Sequence, residues 1–228
     1  MKFIQTFLLW LWLVLAGLGR AAIAGEITPA GEQLAKTLDS MHVEQLWLAG
    51  RQVDWRTGEP NGKIYTNALS HTHCSAFAAA AAEKLGVYLL RPPEHSAVLL
   101  ANAQQDWLCN QGTNEGWQPV KSPLAAQQLA NAGQLVIVTY KSPDKKKPGH
   151  IAIVRPSNRE EAAIVAEGPE IIQAGANNYT RTTVKVGFKH HPGAFENGQL
   201  LYFVHPLTAP KFAQRNTVSA AAATRSAP

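Results

Sequence analysis

Cysteine is nearly absent: Cys74 and Cys109 are the only two in 228 residues. At most one disulfide is therefore available, and in an exported protein that single bridge is the default reading. Charge is sparse as well. Charged residues make up 16% of the chain and hydrophobic ones 46%, a globular rather than a disordered balance. No basic stripe with interleaved aromatics occurs, so the formal charge of +5 is not a nucleic-acid signature. There is no internal repeat. Zinc spacing is missing too: His71, His73 and Cys74 stand at i, i+2 and i+3 with no partner motif, so no metal is expected.

The long apolar run is confined to the N-terminus. Lys2 precedes Phe7 to Leu18, and Ala22-Ile23-Ala24 has the small-x-small form of a cleavage site. Residues 1–24 are predicted to be a secretory signal peptide, with cleavage before Gly25. The competing reading, an uncleaved membrane anchor, is weaker because the run is short for a span. No cysteine follows it directly, so lipoprotein processing is not indicated. Loss of Lys2 and Arg20 takes the formal charge from +5 to +3, compatible with an anionic envelope polymer. Residues 25–207 are expected to form one domain, and 208–228, rich in Ala, Thr, Ser and Pro, a disordered tail. The expected location is periplasmic or secreted.

What the chain does contain is a cysteine at the hand-over from a turn to an alanine-rich helix. Ser70-His71-Thr72-His73-Cys74-Ser75 runs into Ala76-Phe77-Ala78-Ala79-Ala80-Ala81-Ala82, with Gly86 as a stop. The free N–H groups of a helix start favour thiolate, so Cys74 is expected to be a nucleophile with a depressed pKa. A Cys74–Cys109 bridge is the alternative that would silence it.

Helices come first. Thr28 to Leu48 has helical spacing, with Thr28-Pro29 as cap and first turn. Ala49 to Leu69 is loop-like, with Trp47, Trp55 and Tyr65 around it. Ser96 to Leu108 is a further helix, and Ser122-Pro123 opens another that Gly133 closes. Strand patterns follow: Gln134 to Tyr140, His150 to Val154, a stretch near Ala162 to Ala166, Glu170 to Gln173, Thr182 to Phe188, and Gln199 to Val204. Helices followed by a run of strands predict an α+β fold with a largely antiparallel sheet.

A cysteine hydrolase also needs an imidazole and a polar group that orients it. His150 follows Pro148-Gly149 and opens an apolar strand, so it is the natural base. Gln173 ends the next strand and is the natural orienter. Glu167, Asn177 and Asn178 are rivals for that third place, although Asn177-Asn178 has the composition of a turn. His190-His191, before Pro192, reads as a surface loop.

In these features the sequence resembles the papain-like peptidoglycan hydrolases of the NlpC-type and CHAP group. Cys74-Ser75 matches their Cys-Ser helix start. Ala132-Gly133-Gln134-Leu135-Val136 matches the strand before the histidine, and Gly149-His150-Ile151-Ala152-Ile153-Val154 the "Gly-His-Val-Ala-Ile-Val" strand. Ile171-Ile172-Gln173-Ala174-Gly175 stands where the third polar residue closes the next strand. The resemblance spans Tyr65 to Val204. It implies a papain-like core and a Cys74, His150, Gln173 triad acting on a peptide or amide bond of peptidoglycan. It implies a monomer that needs no cofactor and takes the wall or its stem peptides as partner, with no nucleic acid and no membrane insertion. Tyr65 would line the oxyanion hole, and His73 stands where the family often has Asp. Gln134 replaces the usual Asp, and Gln173 the commoner His, Asn or Glu. A neutral glutamine orients the ring but stabilises imidazolium less than a carboxylate does. Two further functions fit the same features: a catalytically silent wall-binding module with the two cysteines bridged, and a thioesterase or acyltransferase.

Overall fold

A computed structural model of the chain describes residues 23–67 and 71–207. The expected leader, apart from Ile23 and Ala24, and the expected tail lie outside the described residues. Ile23 bridges Glu160, and Ala24 is buried with its N–H donated to the Arg159 carbonyl. Among the described residues no helix is long and apolar enough to cross a membrane.

The fold is α+β with antiparallel sheets. Helix α1 (Pro29–Asp39) begins as expected, with the Thr28 hydroxyl accepting from the Gly31 N–H and proline in the first turn. It stops well short of Leu48, and His42 and Trp47 take left-handed backbone angles in the irregular stretch that follows. The supposed loop after it contains a hairpin, β1 (Arg51–Val53) with β2 (Pro60–Ile64). Helices α2 (Cys74–Lys84) and α3 (Leu100–Asn110) come next; α3 starts four residues later than Ser96 because Leu99 is left-handed. A short strand β3 (Gln118–Val120) precedes α4 (Pro123–Asn131), whose Ser122 cap and Pro123 start are as predicted.

The main sheet is completed by β4 (Leu135–Tyr140), β5 (His150–Val154), β6 (Glu170–Gln173), β7 (Tyr179–Thr183) and β8 (Leu201–His205), in the order β3-β8-β4-β5-β6-β7. Every neighbouring pair in it is antiparallel. Two strand expectations are corrected. The stretch near Ala162 to Ala166 is helix α5 (Glu161–Glu167), whose Glu-Ala-Ala composition suits a helix better than its apolar run suits a strand. Thr182 to Phe188 is strand only to Thr183, where the threonine hydroxyl caps a short helix α6 (Val184–Gly187).

Both faces of the sheet are buried, and the period-2 alternation separates them. Leu135, Ile137, Ile151, Ile153, Ile172 and Phe203 pack with α1, α2 and the tryptophans Trp47, Trp107 and Trp117. Val136, Val138, Tyr140, Ala152, Val154 and Ile171 pack with α4, Val184 and Phe188 on the other face. From Ala78 to Ala82, α2 is buried on every side, which fits a helix of small residues pressed between the sheet and α3.

Candidate active site

Cys74 is the first residue of α2. Its preceding residue, His73, supplies no side-chain cap. Instead the His73 ring donates from Nε2 to the Arg51 carbonyl at 2.8 Å and ties the hairpin to the helix start. The thiol is buried, at 5% exposure. The N–H groups of Ile151, Ser75 and Cys74 itself favour the thiolate, yet burial outweighs them and pushes the thiol up to about 11. The expected depressed value is thus overturned: a helix start cannot offset full desolvation. Both cysteines are free in this structure, Cys74 buried and Cys109 exposed, with no bridge between them.

His150 opens β5 opposite Tyr140 in the register, and the glycine before it has a geometric reason. A Cβ on Gly149 would fall 2.0 Å from the Tyr140 carbonyl oxygen. The His150 ring is held by Gln173, the last residue of β6, with Nε2 and Oε1 2.8 Å apart. Gln173 donates its own Nε2 to the Asn177 carbonyl at 3.2 Å. That second bond fixes which way the amide faces: its oxygen meets the imidazole. His150 Nε2 therefore carries the proton, and Nδ1 keeps its lone pair as the basic nitrogen. Burial lowers the His150 pKa to about 4 against the raising effect of the Gln173 bond, with His191 and His190 lowering it further. At neutral pH the resting site holds a neutral thiol and a neutral imidazole. The sulfur lies against the Ile151 N–H, one peptide bond from the ring, and no hydrogen bond joins Cys74 to His150 among the described residues.

Other expected members fall into distinct places. Tyr65 stacks on His71, with ring centroids 3.5 Å apart. Asn178 shapes the turn after β6: its Oδ1 accepts from the Gly175 N–H at 2.9 Å, and its Nδ2 donates to the Val43 and Leu46 carbonyls. Asn177 contributes its backbone oxygen rather than its side chain. Glu167 pairs with Arg159 at 2.7 Å. Gln134, at the head of β4, accepts from the Leu207 N–H and serves the C-terminal end of the domain. Among the described residues no group of three or more His, Cys, Asp or Glu is placed to hold a metal ion.

Three residues of the site carried no sequence signal of their own. Gly187 lies beneath Gln173, where a Cβ would sit 2.5 Å from the amide oxygen. Phe188 meets the His150 ring edge-on at 4.7 Å. His191, expected on a surface loop, is half-buried and stacked on His150 at 5.5 Å and 21°. A cleft of about 520 Å³ opens here, walled by Thr72, His150, Gln173, Tyr179 and His191 among others. Cys74 itself is not on its wall. No family model matches the chain, and no curated protein sequence matches it.

Proposed function

We propose that the chain is an exported papain-like thiol hydrolase that cleaves a peptide or amide bond in peptidoglycan. The observation that carries this reading is the His150–Gln173 pair at 2.8 Å, at the head of the strand against which the Cys74 helix packs. A buried imidazole with one nitrogen fixed by an amide oxygen and the other free is the arrangement a thiol's general base requires. The His150 Nδ1 takes the Cys74 proton as the sulfur attacks the carbonyl carbon, then returns it to the leaving amine. The resulting thioester is hydrolysed by water activated at the same nitrogen. The N–H groups at the start of α2 are the oxyanion donors, as no side chain caps them. Because the resting pair is neutral and not hydrogen-bonded, proton transfer belongs to the substrate-bound state, in which such contacts tighten. No cofactor enters the scheme. The peptidoglycan substrate, the periplasmic or secreted location and the monomeric state rest on the NlpC/CHAP resemblance and the signal-like N-terminus.

The test is mass analysis of muropeptides after digestion of purified sacculi with the wild-type protein and Cys74→Ala. New fragments from the wild type alone, with a defined peptide or amide bond broken, support the reading and name the bond. No fragments from either protein, together with release of acyl groups from a thioester substrate by the wild type, would replace hydrolysis of the wall by thioesterase chemistry.

A further inference from the structure

One hydrogen bond does not fix an imidazole. Gln173 Oε1 holds His150 at a single atom, and the ring can still rock about that point. Its plane is set by other rings. Phe188 meets it in a T-shaped contact at 4.7 Å and 73°, and His191 stacks beside it, offset, at 5.5 Å and 21°. His191 is itself backed by Tyr140 at 5.0 Å, the residue paired with His150 across β4 and β5. Its backbone is pinned as well: the His191 N–H donates to Phe188 O at 2.9 Å, and His191 O accepts from the Ala194 N–H at 3.0 Å. A residue placed this firmly beside the ring is not an idle loop histidine.

We propose that His191 is a positioning residue, which clamps the plane of the His150 ring so that its free nitrogen keeps one direction. This rests on the reading of His150 as the general base. The contact needed is a flat face rather than an imidazole as such, so phenylalanine fits the role. The charge of His191 acts in the opposite sense. His191 touches His150 from β5 and Tyr140 from β4, and the other charged and titratable groups lining the same cleft are the adjacent Lys189 and His190, Tyr179 from β7, and Lys147 and Asp144. A protonated His191 would add to that mostly cationic rim and oppose a proton on His150.

Two readouts on the full chain test the clamp. The first is the ring 15N spectrum of His150, which reports tautomer and motion without any substrate. Wild type should show the single tautomer protonated at Nε2. His191→Ala should give averaged or broadened ring signals while the backbone spectrum stays folded. His191→Phe should restore one sharp set and raise the pH at which His150 titrates. The second is muropeptide release: His191→Ala should lower kcat about tenfold or more with KM little changed, and His191→Phe should recover most of it. Unchanged His150 signals in His191→Ala overturn the clamp. So does a His191→Phe protein as impaired as His191→Ala, which would make the imidazole's own chemistry the cause. If the wild type cuts no wall but the ring spectra behave as described, the hydrolase reading fails and the clamp stands.

Discussion

At the residue scale the decisive group is Gln173, and its two bonds pull a glutamate substitution in a particular direction. One amide atom accepts from His150, the other donates to the Asn177 carbonyl. A carboxylate at this position would set an oxygen against that carbonyl, in a site only 3% exposed. The carboxyl group is then held protonated: its O–H donates to Asn177, and its other oxygen accepts from the ring. Gln173→Glu should accordingly keep activity near the wild-type level without exceeding it. Gln173→Ala frees the ring and should lose about a hundredfold in kcat/KM with the fold intact, the scale of a misplaced general base. Gln173→Asn should fare little better, because the shorter arm cannot reach both partners. Asn178→Ala should instead lower the urea midpoint, since Asn178 ties the turn to the Val43 and Leu46 carbonyls and never touches the imidazole. A Gln173→Glu protein clearly faster than wild type would show that the carboxylate ionises there, against this account.

At the element scale the helix that presents Cys74 is held by smallness. Ala78 and Ala81 belong to the core on the face with Ile151 and Phe203, and Phe77 adds an edge contact to Trp47 at 5.3 Å. Phe77→Ala should cost about 3–5 kcal/mol by opening a cavity, and Ala81→Leu about 1–3 kcal/mol by overpacking. Of the two, Ala81→Leu should harm activity more than its stability loss explains, because it pushes α2 off β5. Urea unfolding beside muropeptide release checks both; equal activity at equal folded fraction would refute the second. This helix was legible because alanine run, glycine stop and cysteine start agree locally. So were α4, from Ser122-Pro123, and β4 to β6, from their apolar runs. Of the candidate triad, the contact between His150 and Gln173 was legible for the same reason, since both mark strand ends; Cys74 makes no hydrogen bond to His150. What escaped depends on tertiary contact. The hairpin at Arg51–Ile64 is exposed and short of apolar residues, so nothing in its pattern says strand. α5 has apolar Ile164 and Val165 among alanines; its composition leans towards helix, and the burial of Ile164 with Val165 left exposed agrees with it. His191 belongs to the site by stacking across the fold, and Gly187 by lying under another residue's side chain; neither fact has a local trace. The thiol's burial is likewise invisible until α2 is set against the sheet.

At the scale of the whole molecule, the site's buried imidazoles make folding depend on pH. Burial holds His150 and His191 near 4 against an ordinary value of 6.5, and His73 is lowered as well. Below pH 6.5 the unfolded chain takes up protons that the native state refuses. Stability is therefore full above 6.5 and is lost as the pH falls towards 4. Each such proton steepens the loss by about 1.4 kcal/mol per pH unit. Glu170 works the other way, because its carboxyl is raised by burial and the native state binds its proton first. Three histidines oppose this one carboxylate, so the net slope should remain positive between pH 4 and 6.5. On the alkaline side Cys74, raised to about 11, costs stability once the unfolded thiol ionises near its ordinary value of 9.0. A plateau between about pH 6.5 and 9 follows. Urea midpoints across pH 4–10 should trace it, and His191→Phe, which removes one refused proton, should shallow the acid limb without moving the alkaline one. A flat acid limb in the wild type would mean that His150 and His191 are open to water, which would remove the buried, neutral imidazole from which the chemistry at Cys74 is argued.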